Sequence, residues 1–395
     1  MSSIRDRNPL AEGTFRRHRW TASLTYGRQS PARRQHGNAN IFLRKAPLKD
    51  PLPVALDTGP MEARLVSELP SGPDWQFEPK WDGFRCLAFR DGDEIELRAK
   101  SGKSLTRYFP EVVAGLKLLP LRRFVLDGEL VIPRGATLSF DQLQMRLHPA
   151  ASRIRKLSIE TPALLIVFDC LVDERGRSMT TAPLLKRRAA LEALFNRLEQ
   201  PGVLRLSPYT RDRRQAERWL KRTGEALDGV VAKLVDGRYE SGERAMQKVK
   251  QLRTADCVVG GFRFASKARV VGSLLLGLYD EQGQLNHVGF TSSIAAAERP
   301  ALTKRLRRLI AEPGFTGNAP GGPSRWSTER SAEWQPLKPV LVVEVRYDQV
   351  TAGRFRHGTK LLRWRPDKSP TQCTCEQLHS PAGPATLMQE IRAMS

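Results

Sequence analysis

Ten residues, FVLDGELVIP (124–133), constrain the fold of this chain more than any other stretch. Phe124, Leu126, Leu130 and Ile132 recur at even spacing, with Gly128 among them, and an extended strand gathers such residues on one face. Asp127 and Glu129 fall on the opposite face, so a strand packed on a core presents two carboxylates to whatever lies across from it. A strand needs partners, and the flanking sequence supplies them. FEPKWDGFRCLAFR (77–90) and EIELRAK (94–100) read as two strands joined by a turn at Asp91-Gly92-Asp93. LLIVFDCLV (164–172) reads as a central strand buried on both sides. LLKRRAALEALFNRLE (184–199) carries apolar residues at 184, 191, 194, 195 and 198, the spacing of an amphipathic helix. A second helix is expected over Gln215–Arg222, and DGVVAKLV (228–235) and MQKVKQL (246–252) return to strand character.

Beyond about residue 252 the texture changes. DCVVGGFRF, SLLLGLYD, LNHVGFT and LVVEVRYDQV are short strands at turn-separated intervals, with one helix over 298–311. That pattern suits a small β-barrel, and EPGFTGNAPGGPSRW (312–326) reads as a loop. The expected division is a basic arm (1–50), a first domain (51–252), a barrel (253–375) and a C-terminal tail (376–395).

Charge narrows the function. Lys and Arg number 65 against 42 Asp and Glu, a net +23, so a polyanion is the expected partner, nucleic acid before an anionic membrane. Residues 1–50 alone hold a net +8 without apolar periodicity. With 40% hydrophobic and 27% charged residues in alternation, wholesale disorder is excluded. No apolar run approaches the length of a membrane helix, and the N-terminus lacks the apolar centre of a secretory signal. The five cysteines read as reduced thiols, and Cys373-x-Cys375 with His379 reads as a polar loop rather than a zinc site. His148, His287 and His357 read as ordinary polar residues, and Trp81 as wall packing.

The chemistry concentrates at Lys80-Trp81-Asp82-Gly83-Phe84-Arg85. A lysine amine attacks phosphorus only when neutral, and at its ordinary pKa roughly one in two thousand is neutral at pH 7. Neighbouring cations in a desolvated site favour the neutral form. Cations recur later: Lys233 ends one strand, and Lys248 and Lys250 share a face by parity, a repulsive pair unless a phosphate sits there. Asp127 and Glu129 supply carboxylates suited to a divalent metal or a ribose hydroxyl.

These residues resemble the ATP-dependent DNA ligases, members of the covalent nucleotidyltransferase superfamily, with motifs in the family's order. EPKWDGFR (78–85) is similar to motif I, AKSGKSLTRYFPE (99–111) to motif Ia, LDGEL (126–130) to motif III and VFD (167–169) to motif IIIa. LDGVVAK (227–233) resembles motif IV, MQKVK (246–250) motif V and RWRPDK (363–368) the end of motif VI. RTADCVVGGFR (253–263) and GRFRHGTKLLRWRPDK (353–368) are most like the small bacterial repair ligases called LigC and the ligase module of LigD.

The resemblance implies an α+β fold: a nucleotidyltransferase (adenylation) domain of antiparallel sheets with flanking helices, then an OB-fold β-barrel. It implies that Lys80 takes AMP from ATP and that AMP passes to the 5′-phosphate of nicked duplex DNA in repair. Glu78 and Phe168 match adenine contacts, Arg85 and Glu129 sugar contacts, and Lys100, Lys233, Lys248 and Lys250 phosphate contacts. Arg365, Asp367 and Lys368 match the group that orients pyrophosphate, while Asp127, Glu129 and Asp228 are the expected metal residues, for Mg2+ or Mn2+. A cytoplasmic, nucleoid-associated monomer with Ku-type end-joining protein as a partner is implied as well. Three positions depart from the family pattern: Asp228 for glutamate, Lys100 for arginine, Met246 for an aromatic. An RNA ligase, a capping-type guanylyltransferase and a non-catalytic DNA-binding scaffold stay open on the residues alone.

Overall fold

The computed structural model describes residues 51–135, 137–221, 227–266, 268–321 and 333–378. The basic arm, His379 and nearly all of the expected tail lie outside the described residues.

Two sheets build the first part. One runs β1 (Ala63–Leu65), β11 (Met246–Val249), β10 (Leu227–Leu234), β2 (Trp75–Trp81), antiparallel except for the β1–β11 pair. The other runs β4 (Glu94–Ala99), β3 (Phe84–Asp91), β5 (Arg123–Val131), β8 (Leu164–Val172), β9 (Leu204–Leu206), with β8–β9 parallel. A two-residue ribbon, β6 (Pro133–Arg134) with β7 (Thr137–Leu138), follows β5. Around these sheets lie α1 (Pro110–Leu118), α2 (Phe140–Met145), α3 (Ala151–Glu160), α4 (Leu184–Phe195) and α5 (Arg213–Lys221).

The β5 parity is correct in register but not in burial. Both faces are covered, and Asp127 is as buried as Leu126. Its carboxylate is tolerated there because Arg85, 42 residues earlier, comes with it. The same holds for α4, which ends at Phe195. Its buried stripe is Leu184, Arg187, Arg188, Leu191 and Leu194, two arginines inside an apolar period. Arg187 pairs with buried Asp169 at 2.7 Å, and Arg188 donates to the Ser207 carbonyl at 2.8 Å.

The second part is one curled sheet: β14 (Leu285–Thr291), β13 (Ala268–Tyr279), β12 (Arg253–Ala265), β16 (Val342–Tyr347), β19 (Lys360–Trp364), with β15 (Gln335–Pro336) paired to β12. A single isolated bridge, Thr291 to Thr359, links the ends of the outer strands, where the sequence predicts a small barrel. The helix α6 (Arg299–Arg307) packs on β13, and a ribbon of β17 (Val350–Thr351) and β18 (Arg354–Phe355) lies against β14, with Phe355 in the core. Cys373 is fully buried in the barrel core, and Leu378 joins that core. The polar loop expected at 373–375 is therefore apolar packing, continuing past the expected boundary at 375.

Candidate functional site

Alternation along β2 divides its side chains. Phe77 and Trp81 enter an apolar cluster with Val230 and Trp219, where Trp81 donates to the Ser207 hydroxyl at 3.0 Å. Trp81 is thus wall packing, as expected. Glu78 and Lys80 line a pocket of about 170 Å³ together with Met61, Arg85, Glu129, Phe168, Lys233 and Lys248. Two motif glycines make this possible. A Cβ on Gly83 would overlap the Leu130 carbonyl oxygen, so only glycine lets the turn after Lys80 lie against β5. Gly229 has φ 144° and would overlap the Val249 carbonyl; β10 is irregular here, and Asp228 sits at the irregularity.

Charges in the pocket interlock. Lys80 Nζ lies 2.5 Å from Asp228 Oδ2, and Lys250 reaches the same oxygen at 3.0 Å. The nearest charged neighbour of Lys80 is therefore a carboxylate, not the cations expected from sequence. Lys233, almost wholly buried, is 2.8 Å from Glu78 Oε2, and its ammonium lies 4.8 Å from the centre of the Phe168 ring. Arg85 flanks the same ring at 4.6 Å and holds Asp127 with two hydrogen bonds of 2.6 Å. Phe168 is thus buried but lines the pocket, with two cations near its ring.

Two groups are held away from their ordinary titration. Burial raises the Glu129 carboxyl to about 7, against the pull of Lys80 and Arg85. No hydrogen bond reaches Glu129 from the described residues. Lys248 is lowered by burial and then by Lys80, Lys250 and Lys100, the repulsion anticipated for a phosphate site without its anion. Lys100 is more exposed and pairs with Glu62 at 2.9 Å.

Three expectations are revised by this geometry. Asp127 does not line the pocket: it is fully buried, bonded to Arg85 and, at 2.6 Å, to Tyr239, so it positions Arg85 rather than facing a metal. Lys250 diverges from Lys248, lying beyond the end of β11 between Asp228 and Asp348. Arg365 and Lys368 do not line the pocket; both pair with Asp256 on the barrel, at 2.9 and 2.7 Å. Asp367 in turn pairs with Arg365 at 2.9 Å. Sequence reasoning missed Tyr239, Asp348 and Arg356. The last stands 2.7 Å from Asp82 of the Lys80 motif.

Residues 60–250 match the family model "ATP dependent DNA ligase domain" and residues 267–368 match "ATP dependent DNA ligase C terminal region". DNA ligase C2 of Mycolicibacterium smegmatis is 44% identical over 352 residues, covering 84% of this chain and 96% of that one. The chain belongs to the ATP-dependent DNA ligases. DNA ligase C of Mycobacterium tuberculosis is likewise 41% identical over 350 residues, covering 84% of this chain and 96% of the relative. The solved structure named Pmar-Lig_PreS3, 15% identical with a TM-score of 0.52, covers 74% of this chain and 63% of its own and shares the fold. In this ligase the pocket is lined by five cations and three carboxylates, a positive cradle suited to a triphosphate.

Proposed function

We propose that this ligase seals nicks in duplex DNA in three phosphoryl transfers, the first taking place in the Lys80 pocket. Neutral Lys80 Nζ attacks the α-phosphorus of ATP, and the P–O bond to pyrophosphate breaks. The product is a phosphoramidate, and the lysine proton leaves to solvent or to a carboxylate. Glu78 and Phe168 hold the base, Arg85 and Glu129 the sugar, and Lys100, Lys233, Lys248 and Lys250 the phosphates. AMP then passes to the nick 5′-phosphate, and the 3′-hydroxyl displaces it. Fixed cations carry the developing charge throughout.

One observation supports this reading most: the Lys80 amine opens on the same pocket as the Phe168 ring, with the Arg85 and Lys233 cations close to that ring. Such a ring is placed to stack on a base while the amine meets the phosphate.

Among the described residues, no group of three or more His, Cys, Asp or Glu could hold a metal alone. A Mg2+ or Mn2+ ion bound by one or two carboxylates and by nucleotide oxygens fits better. Glu129, half-buried, raised to about 7 and without a hydrogen bond from the described residues, suits that role, and Asp228, which holds Lys80 at 2.5 Å, is the second candidate. Such an ion would neutralise phosphate charge. Arg365, Asp367 and Lys368 orient pyrophosphate when the barrel turns them to the pocket, on a division near residue 252. The reading includes a monomer acting on DNA in the cytoplasm, with Ku-type end joining as one setting. Among the described residues no helix is long and apolar enough to cross a membrane.

The test is a sealing assay on nicked DNA, RNA and hybrid duplexes with wild-type enzyme and Lys80→Ala. Sealing of DNA nicks by the wild type alone supports the proposal, with duplex affinity of the variant within about twofold of wild type. A preference for RNA nicks favours the RNA ligase, and sealing by Lys80→Ala removes the lysine from the chemistry.

A further inference from the structure

The barrel brings an anion to Lys250, the lysine that shares Asp228 with Lys80. Asp348 follows β16 in the turn leading to the β17–β18 ribbon, and its Oδ2 lies 3.0 Å from Lys250 Nζ, 98 residues away in sequence. Lys250 already has Asp228 at 3.0 Å, and Asp228 also holds Lys80. One chain of charges thus runs from the barrel to the lysine: Asp348, Lys250, Asp228, Lys80.

Asp348 is built to remain an anion. The Gln349 amide donates to Oδ1 at 2.8 Å, and His357 Nδ1 stands 3.0 Å from Oδ2. Burial alone would raise this carboxyl, but hydrogen bonds with His357 and Lys250 hold it well below the ordinary range. A second tie lies beside it, Arg356 to Asp82 at 2.7 Å. In this same arrangement Arg365 and Lys368 are bound to Asp256 and do not line the pocket.

We propose that Asp348 is a positioning residue: it stands in for a phosphate at Lys250 and so holds the barrel in an arrangement that disfavours the first chemical step and favours the later ones. The proposal rests on the reading of the Lys80 pocket as the nucleotide site. The physics is a competition between anions. A carboxylate delivered by the barrel occupies Lys250 while the barrel is down, and an incoming triphosphate must displace it. Removing the carboxylate leaves Lys250 with Asp228 alone, so that phosphate engages it more readily, and shifts the population away from the barrel-down arrangement. Because both effects act against the same arrangement, they have opposite consequences for the two halves of the reaction.

The experiment compares full-length wild type, Asp348→Asn, Asp348→Glu and His357→Gln in two single-turnover assays. One measures self-adenylation at sub-saturating ATP; the other measures sealing of nicked duplex by enzyme adenylated beforehand. Asp348→Asn is expected to adenylate about fivefold faster and to seal about fivefold more slowly, the size of shift that losing one half-buried ion pair produces. Asp348→Glu restores most of both rates, and His357→Gln moves both in the same directions by about twofold. A variant that simply folds poorly lowers both rates and its melting temperature. His357→Gln, which leaves Lys250 and its partners in place, then decides the matter by its signs. Equal or slower adenylation in both Asp348→Asn and His357→Gln, with wild type labelling normally, overturns the role of Asp348 alone. No label on wild type at all removes the nucleotide site and the proposal with it.

Discussion

The pocket and the barrel solve the same problem in opposite ways. Each must hold cations ready for phosphate. In the pocket, Lys80, Lys233 and Arg85 are set by neighbouring strands and paired with carboxylates from the same body: Asp228, Glu78 and Asp127. In the barrel, Arg365 and Lys368 are paired inward with Asp256 and do not line the pocket. The first arrangement is preorganised, needing only a ligand; the second needs a rigid-body movement before it can act. Buried pairs in the pocket therefore bear on stability and binding together, whereas the barrel pairs bear on a single step.

That contrast can be broken by mutation. Arg365→Ala should slow self-adenylation by about 100-fold, the scale of losing one oriented donor to a transition state, while pre-adenylated enzyme seals nicks within a few-fold of wild type. Equal losses in both steps would mean that the barrel acts continuously, as the pocket does. Asp127→Ala strands Arg85 and Tyr239 in the interior and is expected to cost about 3–5 kcal/mol in denaturant unfolding. Loss of activity without loss of stability would instead return Asp127 to the reaction itself.

Glu129 sharpens the comparison further, because it is a pocket carboxylate left without a hydrogen bond from the described residues. Its folded pKa is raised to about 7, above that of an unfolded carboxyl. Both states are protonated in acid, and as pH rises the unfolded chain ionises first, so a stability penalty accumulates up to about pH 7 and then stays constant. Glu129→Gln should accordingly raise the melting temperature of the ligand-free protein above pH 7 and leave it unchanged below pH 4. Wild type is expected to adenylate faster as pH passes through about 7, and the same substitution should remove that rise. A stability difference that grows toward acid would contradict the assignment.

Much of this was legible in the sequence because the motifs are local. Gly83, Gly128 and Gly229 announce close backbone approach within a few residues of Lys80, Glu129 and Asp228. The strand expected over 77–90 is present as β2 and β3, and the alternation of β2 in the structure separates Phe77 and Trp81 from Glu78 and Lys80. What escaped is long-range pairing. Tyr239 reaches Asp127 across 112 residues and Arg356 reaches Asp82 across 274, distances that depend on registers no single stretch encodes. Arg187 and Arg188 escaped because arginine reads as surface until a buried acceptor is known. The full burial of Asp127 escaped for the same reason: its partners were invisible until β3 and β5 were aligned, with Leu87 opposite Asp127.

The most direct test of the whole account is to incubate the protein with ATP carrying a labelled α-phosphate, denature it, and map the modified peptide. The account predicts label that survives denaturation, resides on Lys80 and is lost in Lys80→Ala. Label on another residue, or none with any divalent metal, would contradict it.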